Sequence, residues 1–125
     1  MAGYIISPKD GGDWQEDPEG FAAAVRERWR DADVKLTPHL DGIVVDAWLP
    51  DDFELMLLAS ASARAVGTEG DVEGSAEVAV WWRRRVPAEI ELFLYDDMYN
   101  ADVPVEPGAR PEALAEAYLA AASTM

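Results

Sequence analysis

Residues 43–59, IVVDAWLPDDFELMLLA, decide the fold of this chain. The first seven residues are rich in β-branched side chains and are typical of a strand, and Pro50 with the two aspartates after it indicates a turn. The last seven, FELMLLA, include good helix formers, but the run is short and lies between turn signals. We therefore predict a β-hairpin here rather than a strand followed by a helix.

The sequence before the hairpin has the patterns of a strand, a helix and a second strand. GYII at residues 3–6 and DVKLT at residues 33–37 are strand-like, and Pro38 closes the latter. Between them, residues 17–31 predict a helix, because Asp17 suits an N-cap and a proline follows it in the first turn. The apolar face of this helix recurs every four residues. It consists of Phe21, Val25 and Trp29.

The chain after the hairpin begins with a weaker strand pattern at residues 63–69. Glycines at 67, 70 and 74 then predict an acidic loop, and residues 75–86 predict a second helix that a proline ends. Residues 89–95, EIELFLY, alternate like a strand. An extended VPVEPG segment follows, and Pro111 opens a last helix.

The predicted order of elements is β-α-β-β-β(-β)-α-β-α. Hairpin strands grouped between helices favour an α+β fold with a mainly antiparallel sheet and helices packed on one face. A doubly wound parallel fold would need regular strand–helix alternation, which the middle of the chain lacks. With 125 residues, the simplest organisation is a single domain over residues 1–125.

The composition limits the classes of function that this chain can have. The chain contains no cysteine, which excludes disulfides and thiolate chemistry, and it has no signal-peptide pattern or long apolar run, so we expect a cytoplasmic protein that does not contact a membrane. The formal net charge of −15 argues against nucleic-acid binding, because phosphate contacts need clustered Lys and Arg. The same charge suits either general solubility or a basic protein partner.

Motifs for phosphate cradles, dinucleotide sites and the nucleophile elbow are missing from the sequence. His39 is the only histidine, and it lies in a turn-like segment, so neither a histidine-based triad nor a multi-histidine metal site is expected. The run Arg83, Arg84 and Arg85 ends the second helix, where cations complement the helix dipole and pair with nearby acids; a small anion site is the alternative. No cofactor, metal ligand or catalytic residue is assigned.

Residues 95–102, YDDMYNAD, combine three carboxylates, two tyrosines and an asparagine at the end of an apolar strand. The segment fails the EF-hand template, and adjacent aspartates on a strand point to opposite faces, so they would not share a proton. Three interpretations remain: a solvated turn, a recognition surface, or a catalytic or metal site. Trp81 joins the candidates because only one of two consecutive tryptophans fits the core stripe of the helix. The candidate binding residues are Trp81, Tyr95, Asp96, Asp97, Tyr99, Asn100 and Asp102.

Two stretches carry a resemblance to other proteins. Residues 21–34 and residues 79–108 resemble a set of small acidic uncharacterised proteins of actinobacterial type, in which a Trp/Arg helix end with Val-Pro leads into an apolar strand and a D-x-x-Y-x-A-D-V segment. The second match runs from Trp82 to Gly108, with Val105 where leucine is usual, and the two stretches cover about a third of the chain. The resemblance implies a recurring structural unit at residues 96–108 and no particular activity.

We therefore expect a non-enzymatic protein-binding module with a basic partner, of an immunity- or inhibitor-like kind, that uses the acidic and aromatic surface of residues 95–102 with Trp81. One alternative is a small carboxylate-based enzyme or divalent-metal binder built on Asp96, Asp97 and Asp102 together with the arginines. A second alternative is a nucleic-acid mimic, which requires carboxylates in regular rows on one face.

Overall fold

The structure, a computed structural model, describes residues 3–8, 16–39, 42–50, 52–60, 64–96, 98 and 101–123. The elements in chain order are β1 (Gly3–Pro8), α1 (Pro18–Arg28), β2 (Asp33–His39), β3 (Gly42–Leu49), β4 (Phe53–Ser60), β5 (Arg64–Glu69), α2 (Val72–Arg83), β6 (Leu92–Asp96), β7 (Asp102–Val105) and α3 (Pro111–Ser123).

The strands of the described chain form one seven-stranded sheet in the order β2-β3-β4-β5-β1-β6-β7. Every neighbouring pair is antiparallel. Successive hairpins join β2 to β5. The N-terminal strand β1 lies between β5 and β6 and pairs with both. The predicted α+β class, with its antiparallel sheet and its order of elements, is confirmed.

Three details of the elements differ from the prediction, each for a local reason. The second helix begins at Val72 instead of at residue 75, because the Asp71 side chain accepts a hydrogen bond from the Gly74 amide and so caps the helix earlier. The extended segment after residue 101 pairs with β6 as a seventh strand, β7. β2 continues through Pro38 to His39, which a proline permits because β2 is an edge strand.

One face of the sheet forms the core with the three helices. Strand side chains alternate between faces, and the fully or nearly fully buried apolar ones all share one face. These are Ile6, Val45, Ala47, Leu55, Leu57, Val66, Leu92, Leu94, Val103 and Val105. The helices supply Phe21, Ala22, Val25, Ala76, Val78, Ala79, Trp82, Leu114, Ala115 and Tyr118 to the same cluster.

A buried carboxylate ties the start of α1 to the end of α2. Glu16 is 6% exposed, and its Oε2 accepts a hydrogen bond of 2.9 Å from the indole Nε1 of Trp82. Arg85 binds the same carboxylate through both Nε (3.1 Å) and Nη2 (2.7 Å). These charge-assisted bonds satisfy the buried indole and neutralise the carboxylate, so they fix the chain before α1 against the core.

The three arginines at the end of α2 all line a cavity of about 410 Å³, but each makes different contacts. Arg83 is buried and donates to the carbonyls of Val86, Pro87, Ile90 and Val105. It therefore satisfies carbonyls at and beyond the end of the helix, as cations near a helix C-terminus do. Burial lowers the pKa of Arg83, and the charge of Glu89 opposes that shift. Arg85 pairs with Glu16, and Arg84 is exposed.

No helix among the described residues is long and apolar enough to cross a membrane.

We expect Glu16→Ala to lower the free energy of unfolding by about 2 kcal/mol or more, because it leaves the buried indole of Trp82 without an acceptor and Arg85 without its partner. Urea denaturation measures the change. The exposed Glu27→Ala in α1 is the control and should change stability by no more than about 0.5 kcal/mol. Equal effects of the two substitutions would contradict the role of this contact.

Candidate binding surface

No helix of the described chain covers the face of the sheet opposite the core. We call it the open face. Two large apolar side chains on it are exposed, Trp48 by 44% and Met56 by 40%. Five other large apolar side chains of the open face are half-buried among their strand neighbours. They are Ile5, Val44, Leu58, Phe93 and Tyr95.

One row of this face crosses all seven strands. Cross-strand pairing places the residues of the row side by side, from one edge strand to the other. The row is Lys35, Asp46, Met56, Gly67, Ile5, Tyr95 and Asp102. Its middle is apolar and its ends are charged, which is the arrangement of an interface with a hydrophobic core and a polar rim.

The neighbouring row is strongly acidic. It consists of Asp33, Trp48, Glu54, Glu69 and Gly3. Glu54 and Glu69 are direct cross-strand partners, which is an unfavourable position for two like charges. Asp46 lies two residues before Trp48 on β3 and therefore faces the same side. We call Asp33, Asp46, Glu54 and Glu69 the acidic patch; Lys35 is the cation that pairs across strands with Asp46.

The acidic patch is electrostatically strained. Partial burial raises the pKa of Glu54, and the charges of Asp46 and Glu69 raise it further. The Oδ1 atom of Asp46 is buried and has no hydrogen-bond partner. Desolvated carboxylate oxygens without donors cost free energy, and in this patch like charges add to that cost. A binding surface that supplies positive charge and N–H donors would reduce both the desolvation cost and the like-charge repulsion.

The structure divides the residues predicted from the 95–102 cluster between two faces. Tyr95 and Asp102 are cross-strand partners on the open face, and the Tyr95 hydroxyl lies 3.0 Å from the Ser7 hydroxyl. Asp96 points the other way; it is 8% exposed and sits opposite Tyr4 on the core side. Asp96 and Asp102 therefore do not share a surface. Asp97, Tyr99 and Asn100 lie outside the described residues.

Trp81 belongs to the helix layer. Its ring makes edge-to-face contacts with Phe21 at 5.3 Å and with Trp29 at 5.1 Å, measured between ring centroids. It packs on α1 and is half-buried. Tyr95 lies on the opposite side of the sheet, so Trp81 and Tyr95 do not form one surface.

The hairpin β3–β4 carries the open-face residues that sequence reasoning did not select. The signal was present in the alternation of the strands: Asp46 and Trp48 share one parity in β3, and Glu54 and Met56 share one in β4. The alternation alone does not show which side of the sheet the helices cover. They cover the side that carries the more apolar residues, which include Val45, Leu55 and Leu57.

Among the described residues, no group of three or more His, Cys, Asp or Glu side chains is arranged to hold a metal ion. Comparison with known proteins found no matching family model, no matching curated sequence and no matching solved structure.

We expect Glu54→Gln to stabilise the protein at pH 7 by less than about 1 kcal/mol. The raised pKa means that the folded state favours protonated Glu54; this contribution is full below the ordinary pKa of 4.5 and is lost as pH rises through the folded pKa. The gain from the substitution should therefore shrink as pH falls toward 4. Urea denaturation at several pH values measures it.

Glu27→Gln is the control for the change in net charge, since Glu27 is exposed on α1. A second variant, Asp46→Asn, should lower the pKa of Glu54 by removing a neighbouring charge, which a carbon-detected NMR titration of the Glu54 carboxyl would show. A Glu54 pKa that does not move in this variant would contradict the described electrostatics.

Proposed function

We propose that this chain is a cytoplasmic, non-enzymatic protein-binding module whose open face binds a basic protein. The observation that carries the proposal is the juxtaposition of half-exposed Trp48 and Met56 with the acidic patch on a sheet face that none of the described helices covers. The face combines apolar area with an excess of one charge.

The apolar part of the face supports a protein partner. Tryptophan, tyrosine and methionine are enriched at the cores of interfaces, and buried aromatic anchors carry much of the binding energy. Trp48 and Met56 occupy neighbouring strands, and Tyr95 extends the surface toward β7. A rigid antiparallel sheet presents these side chains with little conformational entropy left to lose.

The charge supports a basic partner over a second copy of this chain. The net charge of −15 steers a positively charged protein toward the module and repels another copy of it. At the contact itself, Lys or Arg side chains would relieve the repulsion between Glu54 and Glu69. An acidic module that covers a basic functional surface would act as an inhibitor, and an immunity protein for a toxin is one version of that role.

A nucleic-acid mimic is the second candidate, favoured by one observation. The acidic patch places four carboxylates on one face of the sheet, in two neighbouring rows. A mimic would bind a nucleic-acid-binding protein and compete with its nucleic acid. The apolar side chains of Trp48 and Met56 between the carboxylates fit a general basic protein surface better.

Site-specific photo-crosslinking tests the proposal. We expect benzoylphenylalanine in place of Trp48 to crosslink a basic protein from a cell lysate at low salt, because Trp48 is the most exposed aromatic side chain described on the open face. The same probe in place of Leu119, which is 51% exposed on α3, is the matched control and should not capture that protein. The captured protein is then purified and its affinity measured by calorimetry.

Calorimetry with the purified partner measures how much Trp48 and Met56 contribute to binding. Trp48→Ala and Met56→Ala should each weaken binding roughly tenfold, as truncation of an interface anchor does, and Leu119→Ala should not. Added salt should also weaken binding, through slower association. Undiminished binding by Trp48→Ala, or an acidic partner, would refute the proposal. Competition by duplex DNA or RNA would assign the protein to the mimic class.

A further inference from the structure

A cavity of about 650 Å³ opens at the end of the sheet where β3 turns into β4, on the helix side. Trp29 at the end of α1, Leu49 and Phe53 from the hairpin, and Val78 from α2 form its apolar walls. The volume falls within the range of about 300–1,000 Å³ that is usual for small-molecule sites. The cavity lies on the other side of the sheet from the acidic patch.

The Phe53 ring, which forms one wall of the cavity, packs against the backbone of two glycines. A Cβ atom at Gly70 would lie 2.3 Å from the Phe53 ring, and one at Gly74 would lie 2.7 Å from it. Only glycine at both positions allows the ring to lie this close to the start of α2. The wall is therefore held by packing and does not depend on a bound group.

The polar groups of the cavity have one sign of charge. Asp52, Asp71 and Glu77 line it, and none of the described lining residues is basic. The Gly74 amide at the start of α2 already donates a hydrogen bond of 2.8 Å to Oδ1 of Asp71, so this amide is satisfied from within the chain. Aromatic walls with nearby carboxylates attract organic cations through both the ring quadrupole and the opposite charge.

A guanidinium of the chain itself occupies this kind of environment at the margin of the cavity. The Arg28 guanidinium carbon lies 5.1 Å from the centre of the Trp29 ring, and its Nη2 lies 4.0 Å from Oε2 of Glu77. Trp29 and Glu77 both line the cavity. Arg28 therefore shows, within the same molecule, how these two groups receive a planar cation.

We propose that the cavity binds an alkylguanidinium group, with the cation between Trp29 and the carboxylates and its alkyl chain against Phe53. The group could be supplied by a free small molecule or by an arginine side chain of a protein. This site is separate from the open face, and its test does not use Trp48 or Met56, so either proposal can fail without the other.

Binding of n-butylguanidinium, compared with n-butylurea, is the direct test. The two molecules have nearly the same shape, and the urea lacks the charge. We expect n-butylguanidinium to bind with a Kd on the order of a millimolar, as its small size allows, and to shift the amide NMR signals of Gly70 and Gly74. We expect no shift with n-butylurea. Equal shifts with both molecules, or none with either, would overturn the proposal.

Three conservative variants remove the charges without removing the local structure. Asp71→Asn keeps a helix N-cap, Asp52→Asn keeps a residue that tolerates its φ of 59°, and Glu77→Gln keeps the side-chain length. Each should weaken n-butylguanidinium binding roughly two- to fivefold, and the triple variant roughly tenfold or more. Glu73→Gln, exposed in α2 and outside the cavity lining, is the control and should bind like the wild type.

Arg28→Gln tests the position of the cation. It removes a competing guanidinium from Trp29 and Glu77, so binding should tighten roughly twofold or more. Arg84→Gln makes the same change in net charge away from the cavity and is the control, which should bind like the wild type. Equal effects of the two variants would overturn the cation position proposed here. The source of the group follows from competition: n-butylguanidinium displaces a protein partner if that partner inserts an arginine, and leaves the partner bound if the natural ligand is a free small molecule.

Discussion

Three helices cover one face of a seven-stranded antiparallel sheet, and the other features of the molecule depend on that one-sided burial. Alternation along each strand sends half of the side chains into the core and half to the opposite face. The core parity is almost purely apolar. The opposite parity, which no helix of the described chain covers, mixes apolar side chains with carboxylates.

Most polar groups that enter the core side find partners within the chain, although the Nε atom of Arg83 is buried without one. Glu16 accepts hydrogen bonds from the Trp82 indole and from Arg85, and Arg83 donates to backbone carbonyls near the end of α2. Thr68 and Ser75 bond to each other where β5 meets α2. On the open face, Asp46 likewise has a buried oxygen without a partner, and Glu54 also lies near two like charges. The repulsion among its carboxylates is what sets the open face apart.

The β3–β4 hairpin contributes to both surfaces at its tip. Trp48 and Glu54 are a cross-strand pair on the open face, and the next pair, Leu49 and Phe53, lines the cavity. Aromatic side chains and carboxylates occur together on both sides. The two surfaces differ in shape, because the open face is broad whereas the cavity is a concave recess.

The sequence by itself determined most of the fold. The hairpin signal at residues 43–59, the capped first helix and the alternation of EIELFLY each depend on local propensity and period, which neighbouring residues specify. These patterns led to the right class and order of elements. The sequence predicts the start of α2 three residues too late, because three glycines suggested a loop where the capping bond from Asp71 begins the helix.

Only the tertiary structure decided which charged and aromatic residues share a surface. YDDMYNAD drew attention by composition, yet pairing with β1 and β7 sends Asp96 to the core side and Tyr95 with Asp102 to the other. The acidic patch takes Asp33, Glu54 and Glu69 from three strands of the hairpin series. Alternation and turns set the register within each hairpin, but strand order, and with it the surface that results, arises from long-range pairing that no local pattern encodes.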